Sequence, residues 1–184
     1  MRPQDNPDFK TTLPAGHVLH TMMSEHEIIL DVLDKLEAFA EDVGKAEGAA
    51  VPENTRETLA HLAGHLIGAE PHHQREEEAL FTELERRMIQ GPTRVMRAEH
   101  QELRKLKHEL EALAKESGGM ELSEFKNRLA EPARVLVEML RAHIHKENHV
   151  LYPMALRAIP EADTWKRLKE ACDKIGYCCF TPEA

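Results

Sequence analysis

Two ten-residue stretches constrain this chain more than anything else in it. "HHQREEEALF" at 72–81 and "HIHKENHVLY" at 143–152 share the pattern H-x-x-x-E-x-x-x-L-[FY]. On an α-helix, residues i and i+4 stack on one face with Cβ atoms about 5–6 Å apart. His72 with Glu76, and His143 with Glu147, therefore each form a two-ligand clip, and Leu80 and Leu151 carry the same face into a core. One copy alone is what a Glu-rich chain with 12 histidines produces by chance as a solvated face. Two copies in the same apolar frame point to a shared site, because burying two carboxylates among leucines is costly without cations to neutralise them.

The rest of the sequence supplies helices to carry those clips. Leu19, Met22, Met23, His26, Ile29, Leu33 and Leu36 fall at three-and-four spacing and predict a helix over about 16–42. After the loop "GKAEGAAVPEN", Leu59, Leu62 and Leu66 begin a second helix, which Pro71 should kink just before the first clip. "QGPT" supplies a glycine to end that helix in the C′ position and a proline to open a third, marked by Val95, Met96, Leu103, Leu106, Leu110 and Leu113. A fourth runs over about 123–159 with Pro132 near its first turns, and "PEADTWKRLKEACDKIGYCCF" reads as a short fifth helix and tail. Short loops make neighbouring helices antiparallel. The expected fold is all-α, an up-and-down four-helix bundle over 15–159, after a disordered lead-in at 1–14 and before the helix and tail at 160–184.

A net charge of −9, with Lys and Arg scattered among acids, argues against a nucleic-acid partner. The lead-in has no apolar core and no later apolar run reaches membrane-spanning length, so the expectation is a cytoplasmic protein without a membrane partner. Cys172, Cys178 and Cys179 are odd in number, crowded into the tail and lack C-x-x-C spacing, so they read as reduced thiols, with Lys174 the cation nearby in sequence.

Each of the other two long helices offers an inward imidazole, His26 and His100. The rivals are His20 for His26, and His73 with Glu77 for the register of His72 with Glu76. The register of His72 is preferred because its offset to Leu80-Phe81 equals that of Glu147 to Leu151-Tyr152 in the second copy. His61 and His65 lie beyond Pro71, and His145 and His149 point well away from His143 on the helical wheel. Glu25, Glu77 and Glu99 are candidates to orient histidines, Glu25 and Glu99 being adjacent in sequence to His26 and His100.

The order His26, His72 with Glu76, His100, His143 with Glu147 resembles the hemerythrin-like (HHE cation-binding) family. The resemblance includes an "EH" first helix, "H-x-x-x-EE-x-x-LF" in the second and "H-I-x-K-EN-x-x-LYP" in the fourth, and covers about 15–158. It implies a four-helix bundle holding two non-haem irons, oxo- or hydroxo-bridged, on those six residues. If both glutamates bridge, each iron keeps one position for O2, NO or peroxide, walled by Leu80, Leu151, Met22, Met23 and Ile29.

The chain departs from oxygen-carrying hemerythrins where His100 is followed by Arg104 instead of a second histidine, and where the last carboxylate is Glu147 instead of Asp. Four histidines and two glutamates are closer to di-iron proteins that repair iron-sulfur clusters, although no cysteine precedes Cys172. The "DKIGYCCF" tail looks like that of a bacterial subgroup sometimes joined to sensory modules. Reaction with oxidants or NO, sensing for a protein partner, and iron donation or simple iron binding stand as alternatives.

Overall fold

The computed structural model describes residues 7–182. It is all-α: α1 (Pro7–Thr11), α2 (Val18–Lys45), α3 (Glu53–Ile67), α4 (Glu70–Arg75), α5 (Phe81–Arg86), α6 (Gly91–Glu116), α7 (Leu122–Lys146), α8 (Tyr152–Ala158) and α9 (Ala162–Ile175). Two π-helical turns, π1 (Glu76–Leu80) and π2 (Glu147–Leu151), join α4 to α5 and α7 to α8. The only β pairing among the described residues is an isolated bridge between Ala50 and Glu121. No helix among them is long and apolar enough to cross a membrane.

The chain divides into two compact units. One comprises 29–68 and 101–140, and buries much of the expected stripes of α2, α3, α6 and α7 through Leu33, Leu36, Leu59, Leu66, Leu103, Leu110, Phe125, Leu129, Leu136 and Leu140, although Leu106 is only half-buried and Val95, expected in the α6 stripe, is exposed. α7 continues through Pro132 without a break, the lost backbone bond being offset by that apolar burial. The other comprises 1–28, 69–100 and 141–184, and holds all the candidate ligands. Its core packs Leu19, Met22, Met23, Leu80, Phe81, Leu84, Leu151 and Tyr152 together with Leu168 and Cys172 of α9. Ile29, expected beside the ligands, is buried but belongs to the first unit.

Several sequence expectations are corrected. The lead-in is ordered where it is described: α1 is helical and Leu13 is buried in the second unit's core, while 1–6 lie outside the described residues. The tail is likewise part of that unit, with α9 packed on α4 and π1. Pro71 does not kink a helix. α3 ends at Ile67 and Pro71 sits in the first turn of α4, where its missing N–H would have no partner anyway.

Gly91 does not cap the helix before it either, since it already belongs to α6. Met88 takes the left-handed conformation instead (φ 64°). The Ile89 N–H then reaches the Leu84 carbonyl and the Met88 N–H that of Glu85, both at 3.0 Å, the two bonds of a Schellman cap. Met88 is 82% exposed, so its side chain contributes no packing to set against the backbone strain. Met88→Gly should therefore raise stability by about 0.5–1 kcal/mol, seen as a higher urea midpoint at unchanged slope. A lower midpoint would show that the cap is not strained.

Candidate metal centre

The four expected histidines and two expected glutamates are all buried, at 1% exposure or less. Side-chain atoms of His26, His72 and Glu147 form one cluster, and those of Glu76, His100, His143 and Glu147 a second. Glu147 belongs to both. Its Oε2 lies 3.3 Å from His26 Nε2, while its Oε1 lies 2.9 Å from His143 Nε2 and 3.8 Å from His100 Nε2. Glu76 presents a single oxygen: Oε2 lies 3.6 Å from His72 Nε2 and 3.4 Å from His100 Nε2, while Oε1 accepts the Tyr152 hydroxyl at 2.7 Å.

Each glutamate opens a π-turn. The Phe81 N–H bonds to the Glu76 carbonyl, and the Tyr152 N–H to that of Glu147, five residues back instead of four. Such a turn holds one residue more than an α-turn and is a frequent feature of functional sites. Here it lets each glutamate and the aromatic residue five positions later, Phe81 or Tyr152, all be buried.

The histidines are oriented from behind. His72 Nδ1 donates to Glu25 Oε2, His100 Nδ1 to Glu77 Oε1 and His143 Nδ1 to Glu99 Oε2, each at 2.7 Å, and His26 Nδ1 to Asn148 Oδ1 at 2.8 Å. Glu25 and Glu99 thus serve histidines on facing helices, not the histidines beside them in sequence. Consecutive helical residues diverge by about 100°, so neither carboxylate can reach its neighbour's ring. A cation backs each of the three carboxylates: Arg75 on Glu25 (2.6 Å), Arg97 near Glu77 (3.9 Å) and Lys146 on Glu99. Arg75 and Arg97 were not singled out in the sequence; Lys146, Asn148 and Tyr152 stand in the second motif there, but with no role attached to them.

With every Nδ1 hydrogen committed, each Nε2 lone pair points inward. His26 and His72 bring these nitrogens to 3.0 Å, and His100 and His143 to 2.9 Å. Two lone pairs so close repel unless a proton or metal ion lies beside them. Two imidazole nitrogens about 2.1 Å from one ion, at right angles, would stand about 3.0 Å apart. Glu76 Oε2 and both Glu147 oxygens are buried without a hydrogen-bond partner. Such a donor set, nitrogens and carboxylate oxygens without thiolate, fits iron, manganese or zinc.

His73, the register rival, is also buried, and its ring stacks on His100 at 4.0 Å with planes 12° apart. A nitrogen of His73 also groups with those of His100 and His143, but nearly parallel stacked rings cannot both aim in-plane lone pairs at one ion, so His73 and His100 do not serve one ion together in this arrangement. His20 belongs to neither cluster, and His61 with His65, and His145 with His149, pair with each other along their helices. The tail thiols are free, and burial pushes those of Cys172 and Cys178 up to about 11, as inert thiols require. The cation against Cys178 is Arg75, at 3.9 Å, not Lys174.

Protonation equilibria reflect the same geometry. Burial works against charge on His26, His100 and His143, but the glutamates facing them raise all three, His100 to about 11. Burial would likewise raise Glu25, yet the hydrogen bond and charge of His72, with Arg75 and Thr181, hold it at about 2. The Glu147 carboxyl lies well below its usual range, against the effect of burial, because His143, His100 and His26 surround it.

A family model described as the hemerythrin HHE cation-binding domain matches residues 17–155. No curated protein matches the chain.

Without metal, protons must hold this cluster together. The His100 contribution to stability is complete below its ordinary value of 6.5 and is lost as pH rises towards about 11. That of Glu25 is complete above 4.5 and is lost as pH falls towards about 2. Metal-free protein should therefore be more resistant to urea at roughly pH 6 than at roughly pH 9. Equal midpoints would show that protons do not replace the metal.

Proposed function

The chain belongs to the hemerythrin HHE cation-binding family, and we propose that it holds two irons on His26, His72, Glu76, His100, His143 and Glu147 for reaction with O2, NO or peroxide. The observation that carries this reading is Glu147, whose two oxygens face two different histidine pairs. A carboxylate serving one ion has no need of that arrangement. Glu76, with one oxygen held by Tyr152 and the other between His72 and His100, would hold the pair from the opposite helix.

A bound iron pair supplies redox chemistry and a coordination position for a small oxidant or diatomic. The chain's own residues hold and orient that pair. The carboxylates behind His72, His100 and His143 each hold a ring in place by a charge-assisted hydrogen bond, whereas the partner behind His26 is the neutral Asn148. An ion on the His26 side would accordingly be the more weakly held. Met22, Met23, Leu80 and Leu151 pack in the surrounding core and exclude water, and Tyr152 already spends its hydroxyl proton on Glu76. Such surroundings suit small diatomics and peroxide better than organic substrates.

Metal analysis of protein made in iron-replete cells should find about two irons per chain. Glu147→Ala should lose both together, because it neutralises the pair, whereas His26→Ala should lose chiefly one. Full iron retention in Glu147→Ala would overturn the bridge. Azide, NO and peroxide should each change the charge-transfer bands. A spectrum indifferent to all three would point to iron donation, and catalytic disappearance of peroxide to an enzyme.

A further inference from the structure

Behind His72 lies an ion pair that the expected ligand set does not include. Glu25 is 0% and Arg75 1% exposed, and Arg75 Nη2 contacts both Glu25 oxygens at 2.6 and 2.7 Å. Burying such a pair is costly unless its remaining hydrogen-bonding capacity is met. The segment after α9 meets it. Gly176, at φ 97°, turns the chain out of the helix in a conformation that favours glycine. Tyr177 then lays its ring face 4.6 Å from the Arg75 guanidinium carbon, and Cys178 Sγ sits 3.9 Å from Arg75 Nη2. A backbone bond from Thr181 to Cys178 at 2.9 Å bends the segment back, and the Thr181 hydroxyl donates to Glu25 Oε1.

Glu25 therefore joins the tail to the candidate centre: Oε1 takes the Thr181 hydroxyl and Oε2 the His72 Nδ1 hydrogen. The other carboxylates behind histidines are built differently. Glu77 and Glu99 keep side-chain exposures of 20% and 19%, and their cations come from α6 and α7. Of the three, the Glu25 carboxylate alone is fully enclosed.

We propose that residues 177–181 form a latch that positions His72 through Glu25, so that the seating of the tail sets how firmly one of the two irons is held. This rests on the reading of His72 as an iron ligand. With three donors, Arg75, Thr181 and His72, the carboxylate has one orientation. Without the Thr181 hydroxyl it can pivot on Arg75, and without the Tyr177 ring water reaches the pair. In both cases the imidazole loses its fixed orientation, and partners that orient a ligand typically matter 10–100-fold in metal affinity.

The test compares Thr181→Val, Thr181→Ser and Tyr177→Ala with the unmodified chain. Iron loss to a chelator is followed after iron loading, and the His72 imidazole 15N resonances are recorded in metal-free protein. Thr181→Val and Tyr177→Ala should release one of the two irons about tenfold faster and shift the His72 resonances, while Thr181→Ser should behave as the unmodified chain. The latch is overturned if Thr181→Val matches the unmodified chain in both measurements, or if Thr181→Ser is impaired equally. If the unmodified chain holds no iron, it is the di-iron reading that fails, and the metal-free resonances alone then decide the latch.

Discussion

The structure depends on keeping two carboxylates and four imidazoles out of water within a few ångströms of one another. Glu76 and Glu147 are fully buried, and three of their four side-chain oxygens lack a hydrogen-bond donor. Leaving a charge of that kind without a counter-charge costs more than a typical domain's net stability can spare. A cation at the centre removes the difficulty, and in its absence the raised affinity of His26, His100 and His143 for protons does so in part. The neighbouring elements satisfy the same electrostatic demand.

Three imidazoles are backed by a carboxylate and then by a cation, which places alternating charge along lines running outward from the centre. The lines cross between helices. Glu25 of α2 serves His72 of α4, Glu77 of π1 serves His100 of α6, and Glu99 of α6 serves His143 of α7. Each ligand is thus fixed by a different helix from the one that carries it, so the ligand positions and the packing of the unit specify each other. The fourth line, from His26 to Asn148, carries no charge and makes the centre unequal.

The π-turns and the tail adapt this scheme to the chain. A π-turn starting at each glutamate shifts the register of the helix beyond it, so that Phe81 and Tyr152 join the core and the Tyr152 hydroxyl reaches back across to Glu76. α9 and the residues after it close over Arg75 and Glu25, making the C-terminal segment part of the unit that carries the ligands.

The sequence by itself determined the all-α class, the course of the long helices and the six residues gathered at the centre. Apolar period and i,i+4 stacking are local consequences of helical geometry, and both clips fall in the same apolar frame. It misplaced the cap at Met88, the role of Pro71 and the order of the lead-in, where backbone conformation answers to packing as well as residue type. Tertiary structure alone decided which carboxylate orients which histidine, that Asn148 stands behind His26, that His73 stacks on His100, and that Thr181 reaches Glu25. Those contacts join residues up to 156 positions apart. No local periodicity encodes a separation of that size; it arises only from how the helices and tail of the unit come together.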